Sequence, residues 1–192
     1  MVPILANGTP QADRTLFVNL AGATGATLVK PQGIGTIRDD DPTPAAATIA
    51  QYRLYSPITL EHLYTTDTNE YAVLATRGWV QEGVAYTMFR DGGSYGSQYA
   101  IPLYRMYHGG IQQHHWTPDT NEVMVLAAGG AWSYEGIAGY ILPGAGAGST
   151  PLYRLAYFSP ALHLWTTDLN EKNVLSSQFG WSYEGIVGEV LP

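Results

Sequence analysis

The sequence predicts a mainly β fold with short helices, in which three β-β-α-β repeats close about a pseudo-threefold axis after N-terminal strands of the β-sandwich type. Such a domain would be β-trefoil-like or small propeller-like. Two observations lead to this expectation. A nine-residue motif occurs three times, at 62–70, 114–122 and 163–171, and aromatic-rich runs with period-two alternation flank each copy. Closure removes unpaired sheet edges and is therefore favoured over an open row of units.

The repeated motif begins with His and ends with Asp-x-Asn-Glu. A Tyr-Arg pair precedes each copy, and a Trp, Glu, Gly set follows it. The arginines Arg53, Arg105 and Arg154 stand 52 and 49 residues apart, a spacing typical of repeat architectures. One asymmetric active site does not need three copies of the same side chains, so the motif predicts a repeated scaffold with related pockets.

The predicted domain boundaries follow the repeats. The threefold repeat domain covers 51–192, as units 51–99, 101–148 and 151–192, with glycine-rich connectors at 91–96 and 144–149. Residues 1–41 form a separate N-terminal segment, and residues 42–50 form a linker.

Within each unit the local signals predict the same order of elements. An alternating run such as 103–107 forms the first strand, and the motif histidine starts the second. Asp-x-Asn-Glu has the form of a capping box, which predicts a short helix with Asp at the N-cap and Glu at N3: Asp67 and Glu70, Asp119 and Glu122, Asp168 and Glu171. Trp then opens the third strand. Glycines are placed to end each helix in a left-handed cap: Gly78, Gly129, Gly130 and Gly180.

Composition excludes several classes of partner. The net charge is −7 and only two lysines are present, which argues against nucleic acid and against an anionic membrane surface. No apolar run approaches the ~18 residues that a membrane-spanning helix needs, so no membrane insertion is expected. The absence of cysteine excludes disulfides and thiolate sites. Together with few lysines and many Gly, Thr and Tyr residues, it favours an extracellular protein, secreted or at the cell surface.

Tyr-Arg-Leu-Tyr, His-Leu-Tyr-Thr-Thr-Asp and Gly-Trp-x-x-Glu-Gly resemble the motifs of an uncharacterised bacterial secreted-protein repeat family of unknown function, over about 52–192. The resemblance implies an extracellular location and an accessory role, and it implies no chemistry. The copies are not identical. The first has Gln81 where the others have Tyr134 and Tyr183, and the third has Ala156 where the others have tyrosine.

The segment from about 10 to 41 resembles the closing strands of a Calx-beta domain, a β-sandwich of which more than half is missing here. The resemblance implies a calcium site that includes Asp39, Asp40 and Asp41. Calcium takes six to eight oxygens, so these three residues would form only a weak or partner-completed site. The alternative is a solvated acidic linker. Incomplete sandwich strands need either the repeats or another chain to complete them.

Three sets of repeated side chains are candidates for ligand binding, and each has a structural alternative. The arginines and the later glutamates form an ion pair between the first and third strands, or they act as acid and base. The histidines pack against aromatic rings, or they share a zinc ion. The tryptophans are core, or they stack on sugar rings. The candidates are Arg53, His62, Tyr64, Trp79, Glu82, Arg105, His114, Trp116, Trp132, Glu135, Arg154, His163, Trp165, Trp181 and Glu184.

These features predict a non-catalytic extracellular binding module, carbohydrate-binding and lectin-like, with up to three related pockets for a glycan or cell-wall polysaccharide. The alternative is a structural or assembly subunit of an extracellular fibre or adhesin that docks through its incomplete N-terminal strands. A hydrolase ranks third, because no nucleophile elbow, zinc-protease motif or phosphate loop occurs. No cofactor is expected apart from calcium.

Overall fold

The computed structural model describes residues 14–25, 27, 32–37, 47–158 and 161–192. The chain divides into two compact units, Met1–Ala45 and Ala46–Pro192. The described part is mainly β, and its helices are short. Asp39, Asp40 and Asp41, the predicted calcium residues, lie outside the described residues.

The N-terminal compact unit contains an antiparallel pair of strands, β1 (Arg14–Asn19) and β2 (Gln32–Ile37). Phe17 and Leu20 at this hairpin are 57% and 55% exposed. The likeness of this segment to a Calx-beta domain stays a prediction.

The second compact unit contains three successive segments with the same order of strand, strand, helix and strand, and we call these segments units. The first consists of β3 (Thr48–Tyr55), β4 (His62–Thr65), α1 (Thr68–Thr76) and β5 (Val80–Phe89), and is followed by a small hairpin, β6 (Ser94–Tyr95) and β7 (Gln98–Tyr99). The second consists of β8 (Ile101–His108), β9 (Gln113–Thr117), α2 (Thr120–Ala128) and β10 (Trp132–Ile141). The third consists of β11 (Thr150–Tyr157), β12 (Leu162–Thr166), α3 (Leu169–Gln178) and β13 (Ser182–Val190).

The hairpin β6–β7 lies in a segment that the sequence predicts as a flexible connector. Its Tyr95 ring stacks on Phe89 with 3.8 Å between ring centroids. This contact gives the segment an apolar cluster of its own, together with Ala100 and Leu142, and so explains why a glycine-rich stretch is ordered here.

Each unit is an antiparallel three-stranded sheet with its first strand in the middle. The first two units share a six-stranded sheet of order β4-β3-β5-β10-β8-β9, which curls into a half-barrel, and the third forms the sheet β12-β11-β13. Two-way backbone hydrogen bonds join β13 to both other units, at Thr87 with Leu191 and at Leu142 with Glu189. The last strand of each unit therefore contacts the last strands of the other two.

The helix ends follow the sequence signals closely. Asp67, Asp119 and Asp168 are N-caps, and each carboxylate accepts a hydrogen bond from the backbone N–H two residues on, at 2.7 to 2.8 Å. Left-handed glycines follow the helices at Gly78, Gly130 and Gly180. The second half of the predicted capping box is wrong, because the N3 glutamates turn away from the caps to arginines of other units.

A β-bulge in the third strand of each unit places a glutamate where it can reach the first strand. In the first unit Gly83 pairs with Arg53 and Gln81 pairs with Leu54, so Glu82 is the extra residue in the ladder. The following glycine has a positive φ in all three units: Gly83, Gly136 and Gly185. The repeated Glu-Gly pair is therefore a backbone requirement, because the bulge re-aims the carboxylate and glycine tolerates the conformation that it needs.

The centre of the core is a contact between three large rings, one from the second strand of each unit. Tyr64, Trp116 and Trp165 are each 0% exposed, and their ring centroids lie 5.3 to 5.8 Å apart in mostly edge-on arrangements. The hydroxyl of Tyr64 donates to the carbonyl of Trp165 at 2.6 Å. Edge-to-face packing of this kind stabilises by about 0.5–1.5 kcal/mol per pair beyond burial.

Candidate functional site

The predicted ion pair between the first and third strands is present in every unit. Nε of Arg53 donates to Glu82 at 2.7 Å, and Nε of Arg105 donates to Glu135 at 2.8 Å. In the third unit the same two atoms of Arg154 and Glu184 lie 2.8 Å apart, as an ion pair outside hydrogen-bond geometry.

A second carboxylate reaches each arginine from the helix of a different unit. Arg53 of the first unit binds Glu171 of the third at 3.0 Å. Arg105 of the second unit binds Glu70 of the first through two hydrogen bonds of 2.8 Å. Arg154 of the third unit completes the set by binding Glu122 of the second at 2.9 Å. Every unit thus gives one glutamate and receives one.

These ion pairs are largely shielded from water and strongly charged. The three arginine side chains are only 16–18% exposed. Burial alone would lower the pKa of Arg105, but Glu70 and Glu135 outweigh it and raise that pKa. Burial would likewise raise the pKa of Glu70, yet hydrogen bonds from Arg105 and Thr65 lower it. Glu70 therefore stays ionised near neutral pH and keeps its ion pair with Arg105.

Nε2 of each motif histidine lies 3.5 to 3.9 Å from the bulged glutamate of its own unit, but the other contacts of these histidines differ. In His114, Nδ1 lies 2.7 Å from the buried carboxylate of Glu61, and Nε2 lies 3.2 Å from Arg105. An arginine side chain can only donate hydrogen bonds, so Nε2 of His114 accepts one from Arg105. Nδ1 therefore carries the ring proton and donates a hydrogen bond to Glu61. His163 instead packs edge-on against His115, with 4.6 Å between ring centroids.

Burial keeps the other two motif histidines uncharged. Desolvation, followed by the nearby charge of Arg53, lowers the pKa of His62 to about 4. Desolvation, followed by His115 and Arg154, lowers the pKa of His163 to about 3. Among the described residues no group of three or more His, Asp and Glu side chains could hold a metal ion, so the zinc alternative for the motif histidines is not supported.

Two of the cavities lie between units and have matching linings; we call them the polar clefts. The cleft between the first and second units measures about 360 Å³, and the cleft between the third and first about 220 Å³. One unit supplies Thr-Thr-Asp and the N3 glutamate, and the other supplies the arginine, the bulged glutamate and an apolar residue after the bulge. The equivalent pairs are Thr66 and Thr167, Asp67 and Asp168, Glu70 and Glu171, Arg105 and Arg53, Glu135 and Glu82, Ile137 and Val84.

A third cavity of about 440 Å³, which we call the aromatic cleft, also lies between the first and third units. Four of its lining residues are aromatic, three are leucines and two are polar: Tyr55, Tyr157, Phe179, Trp181, Leu60, Leu162, Leu175, His62 and Glu82. Phe179 is 61% exposed, so its ring is accessible from solvent at the edge of this cleft.

The predicted aromatic ligand contacts divide into two sets. The prediction that a ligand stacks on Tyr64, Trp116 and Trp165 is wrong, because rings with no exposed area cannot present a face to a ligand. Trp79, Trp132 and Trp181 are partly buried. Trp79 packs on the core, Trp132 contacts His108 and His115, and Trp181 lines the aromatic cleft.

Sequence reasoning missed several lining residues. Thr66 and Ile137 belong to repeated positions, so repetition itself was a usable signal for the polar clefts. Tyr157 and Phe179 occupy positions at which the copies differ, and a search for shared residues passes over them. None of the helices in the described residues is long and apolar enough to cross a bilayer.

A family described as "Domain of unknown function (DUF5648)" matches residues 49–191. The match covers most of the chain, which therefore belongs to this family. No curated protein matches the chain. No solved structure matches it either.

Proposed function

We propose that the protein is a non-catalytic, carbohydrate-binding module that takes glycan or cell-wall polysaccharide in up to three related clefts between its repeat units. An extracellular role, secreted or at the cell surface, is part of this proposal and is based on composition. The observation that carries it is the pair of polar clefts, since the same residue types recur at two junctions between units.

The chemistry of the polar clefts suits sugar hydroxyls. Threonine hydroxyls, carboxylate oxygens and a guanidinium group converge on one cavity beside an apolar side chain. Sugar rings need this combination, because their hydroxyls form hydrogen bonds and their C–H faces bury against apolar surface. Because two glutamates bind each arginine, no uncompensated cation is left to favour an acidic polysaccharide.

The same proposal includes closure of the three units about a pseudo-threefold axis. The exchange of glutamates between units, the central contact of Tyr64, Trp116 and Trp165, and the pairwise contacts of the last strands support it. A junction between the second and third units would then carry a third polar cleft, with Arg154, Glu122 and Glu184 at its floor.

The proposal is tested by removing the apolar wall from all three clefts. Val84, Ile137 and Ile186 follow the bulge in their units and are about half exposed, so serine costs little stability there. We expect the triple serine variant to bind neutral glycans on an array about fivefold more weakly, since fully burying such a side chain contributes roughly 1.5–3 kcal/mol and about half of each is already buried.

A matched control also changes one exposed apolar residue in each unit. Val80, Met124 and Leu169 are exposed to a similar degree and do not line the described clefts, so their triple serine variant should bind as the parent does. Absence of binding to any polysaccharide or cell-wall material would reject the proposal, as would equal losses in both triple variants.

A second candidate function is assembly through the N-terminal hairpin, as a structural subunit of an extracellular fibre or adhesin. The specific observation is the exposed Phe17, Val18 and Leu20 on a two-stranded sheet, which is marginally stable by itself. Another chain would complete such strands by adding to their edges.

Phe17→Asp tests this second candidate in the full chain. If the hairpin mediates assembly, sedimentation at micromolar concentration should show an oligomer for the parent and a monomer for the variant, because a buried charge disfavours the interface. Ile58→Asp, at an 85% exposed position in the repeats, is the control. A parent that sediments as a monomer at all concentrations excludes the candidate.

A further inference from the structure

The aromatic cleft is formed by residues at which the third unit differs from the others. Tyr157 stands where the other units have Ser56 and His108. Leu162 stands where they have Glu61 and Gln113. At the junction between the first and second units, Glu61 instead binds His114, which fills the equivalent space with a hydrogen-bonded pair. The aromatic cleft is thus particular to the junction between the third and first units.

The charge around the aromatic cleft is net negative, because the single charge of Arg53 is shared between Glu82 and Glu171. Glu82 is the charged residue of its lining, and it lies on the wall that this cleft shares with the polar cleft between the same two units. His62 adds no positive charge near neutral pH, since burial lowers its pKa to about 4. The arginine partner of Glu82 lines the polar cleft on the other side. A cation is therefore favoured here over an anion.

We propose that the aromatic cleft binds a quaternary ammonium group, such as the trimethylammonium end of choline. The faces of Trp and Tyr rings attract such cations, and the rings of Tyr157 and Trp181 lie next to each other with 5.6 Å between centroids. The methyl groups of the ligand bury against the leucines, and Glu82 supplies the counter-charge. The cavity of about 440 Å³ is within the range of small-molecule sites.

A neutral sugar fits this cleft less well than it fits the polar clefts. Three leucines and Phe179 form much of the wall and offer no hydrogen-bond partner to a ring of hydroxyls. An apolar cation needs few such partners, because its attraction to the rings and to the carboxylate does not depend on donated hydrogens.

The test is a calorimetric titration of the full chain with choline and with its uncharged carbon isostere, in which a tertiary butyl group replaces trimethylammonium. The two ligands have the same shape, so the difference between them isolates the charge. We expect choline to bind at least tenfold more tightly than the isostere. Phe179→Ala and Tyr157→Ser should each weaken choline binding several-fold, and because Phe179 is mostly exposed the first variant should fold normally.

Trp181→Ala and Trp132→Ala form the matched pair of tryptophan variants. Only Trp181 lines the cleft, so its loss should abolish choline binding, and the loss of the equivalent Trp132 should not. A parallel titration with phosphatidylcholine vesicles identifies the source of the ligand. If the site recognises a lipid headgroup, the protein should bind both choline and the vesicles. If the site recognises free choline, the protein should bind choline alone. The triple serine variant of the polar clefts should keep its choline affinity, which separates this site from glycan binding.

Equal affinity for choline and its isostere would overturn the proposal, and so would choline binding that Phe179→Ala leaves unchanged. Failure of choline to bind the parent chain at millimolar concentration would have the same consequence.

Discussion

Replacing Arg105 by methionine should lower the free energy of unfolding by about 3 kcal/mol, near the lower end of the range for breaking a buried ion pair. Three hydrogen bonds from this guanidinium bind Glu70 and Glu135, and its side chain is only 16% exposed. Methionine fills much of the same volume and leaves both carboxylates without a counter-charge. The cost arises mainly from those stranded charges.

Urea unfolding of the variant measures this loss, and Arg77→Met is the control, since Arg77 lies exposed at the end of α1. Adding Glu70→Gln to Arg105→Met should recover part of the lost stability, because it removes one of the two uncompensated charges. A loss below about 1 kcal/mol for Arg105→Met would mean that the pair behaves as an ordinary surface ion pair.

Acidification from pH 7 to pH 4.5 should destabilise the protein by about 5 kcal/mol, through two buried histidines. The pKa of His62 is lowered to about 4 and that of His163 to about 3, whereas an unfolded chain protonates histidine near pH 6.5. Between these values only the unfolded chain takes up the protons, so falling pH favours unfolding. Each pKa unit is worth about 1.4 kcal/mol, so the roughly two units between pH 6.5 and pH 4.5 give about 2.5 kcal/mol per histidine.

The stability contributed by the neutral histidines is complete above about pH 6.5 and is lost as the pH falls toward the folded-state values. Below about pH 4.5 the lowered pKa values of Glu70 and Glu122 add a loss of the same sign. Urea unfolding of the parent and of the His62→Gln, His163→Gln double variant at pH 8, 7, 5.5 and 4.5 measures the effect. The double variant should show a much flatter pH dependence. A parent whose unfolding free energy does not change over this range contradicts the expectation.

The elements within one unit could be predicted from sequence because their signals are local. The cap at Asp67 depends on residues two apart, and the pairing of Arg53 with Glu82 depends on neighbouring strands of one sheet. Contacts between units could not be predicted in this way. Nothing in the order of residues shows that Glu171 reaches Arg53, and its position in a capping pattern gave a competing local explanation.

The candidate site was harder to predict because a residue that recurs in every unit is more often needed for packing than for binding a ligand. Tyr64 and Trp165 recur since three units meet at one centre, and this role fully buries them. The aromatic cleft instead draws on Phe179 and Tyr157, at positions that are not shared. In a repeat protein the shared residues therefore define the core, and the exceptions indicate where one junction has become different from the others.

The bond between Arg53 and Glu171 joins residues 118 positions apart and has a consequence for how such a protein can evolve. Solenoid proteins lengthen by adding modules at a free end, since each module touches only its neighbours. In the closed arrangement proposed above the last module already holds the first, so an inserted fourth would have to open that bond and place its own arginine and glutamate between the two. A fourth module would also require the packing of Tyr64, Trp116 and Trp165 to be rebuilt for four rings, whereas substitutions within three modules leave that centre intact.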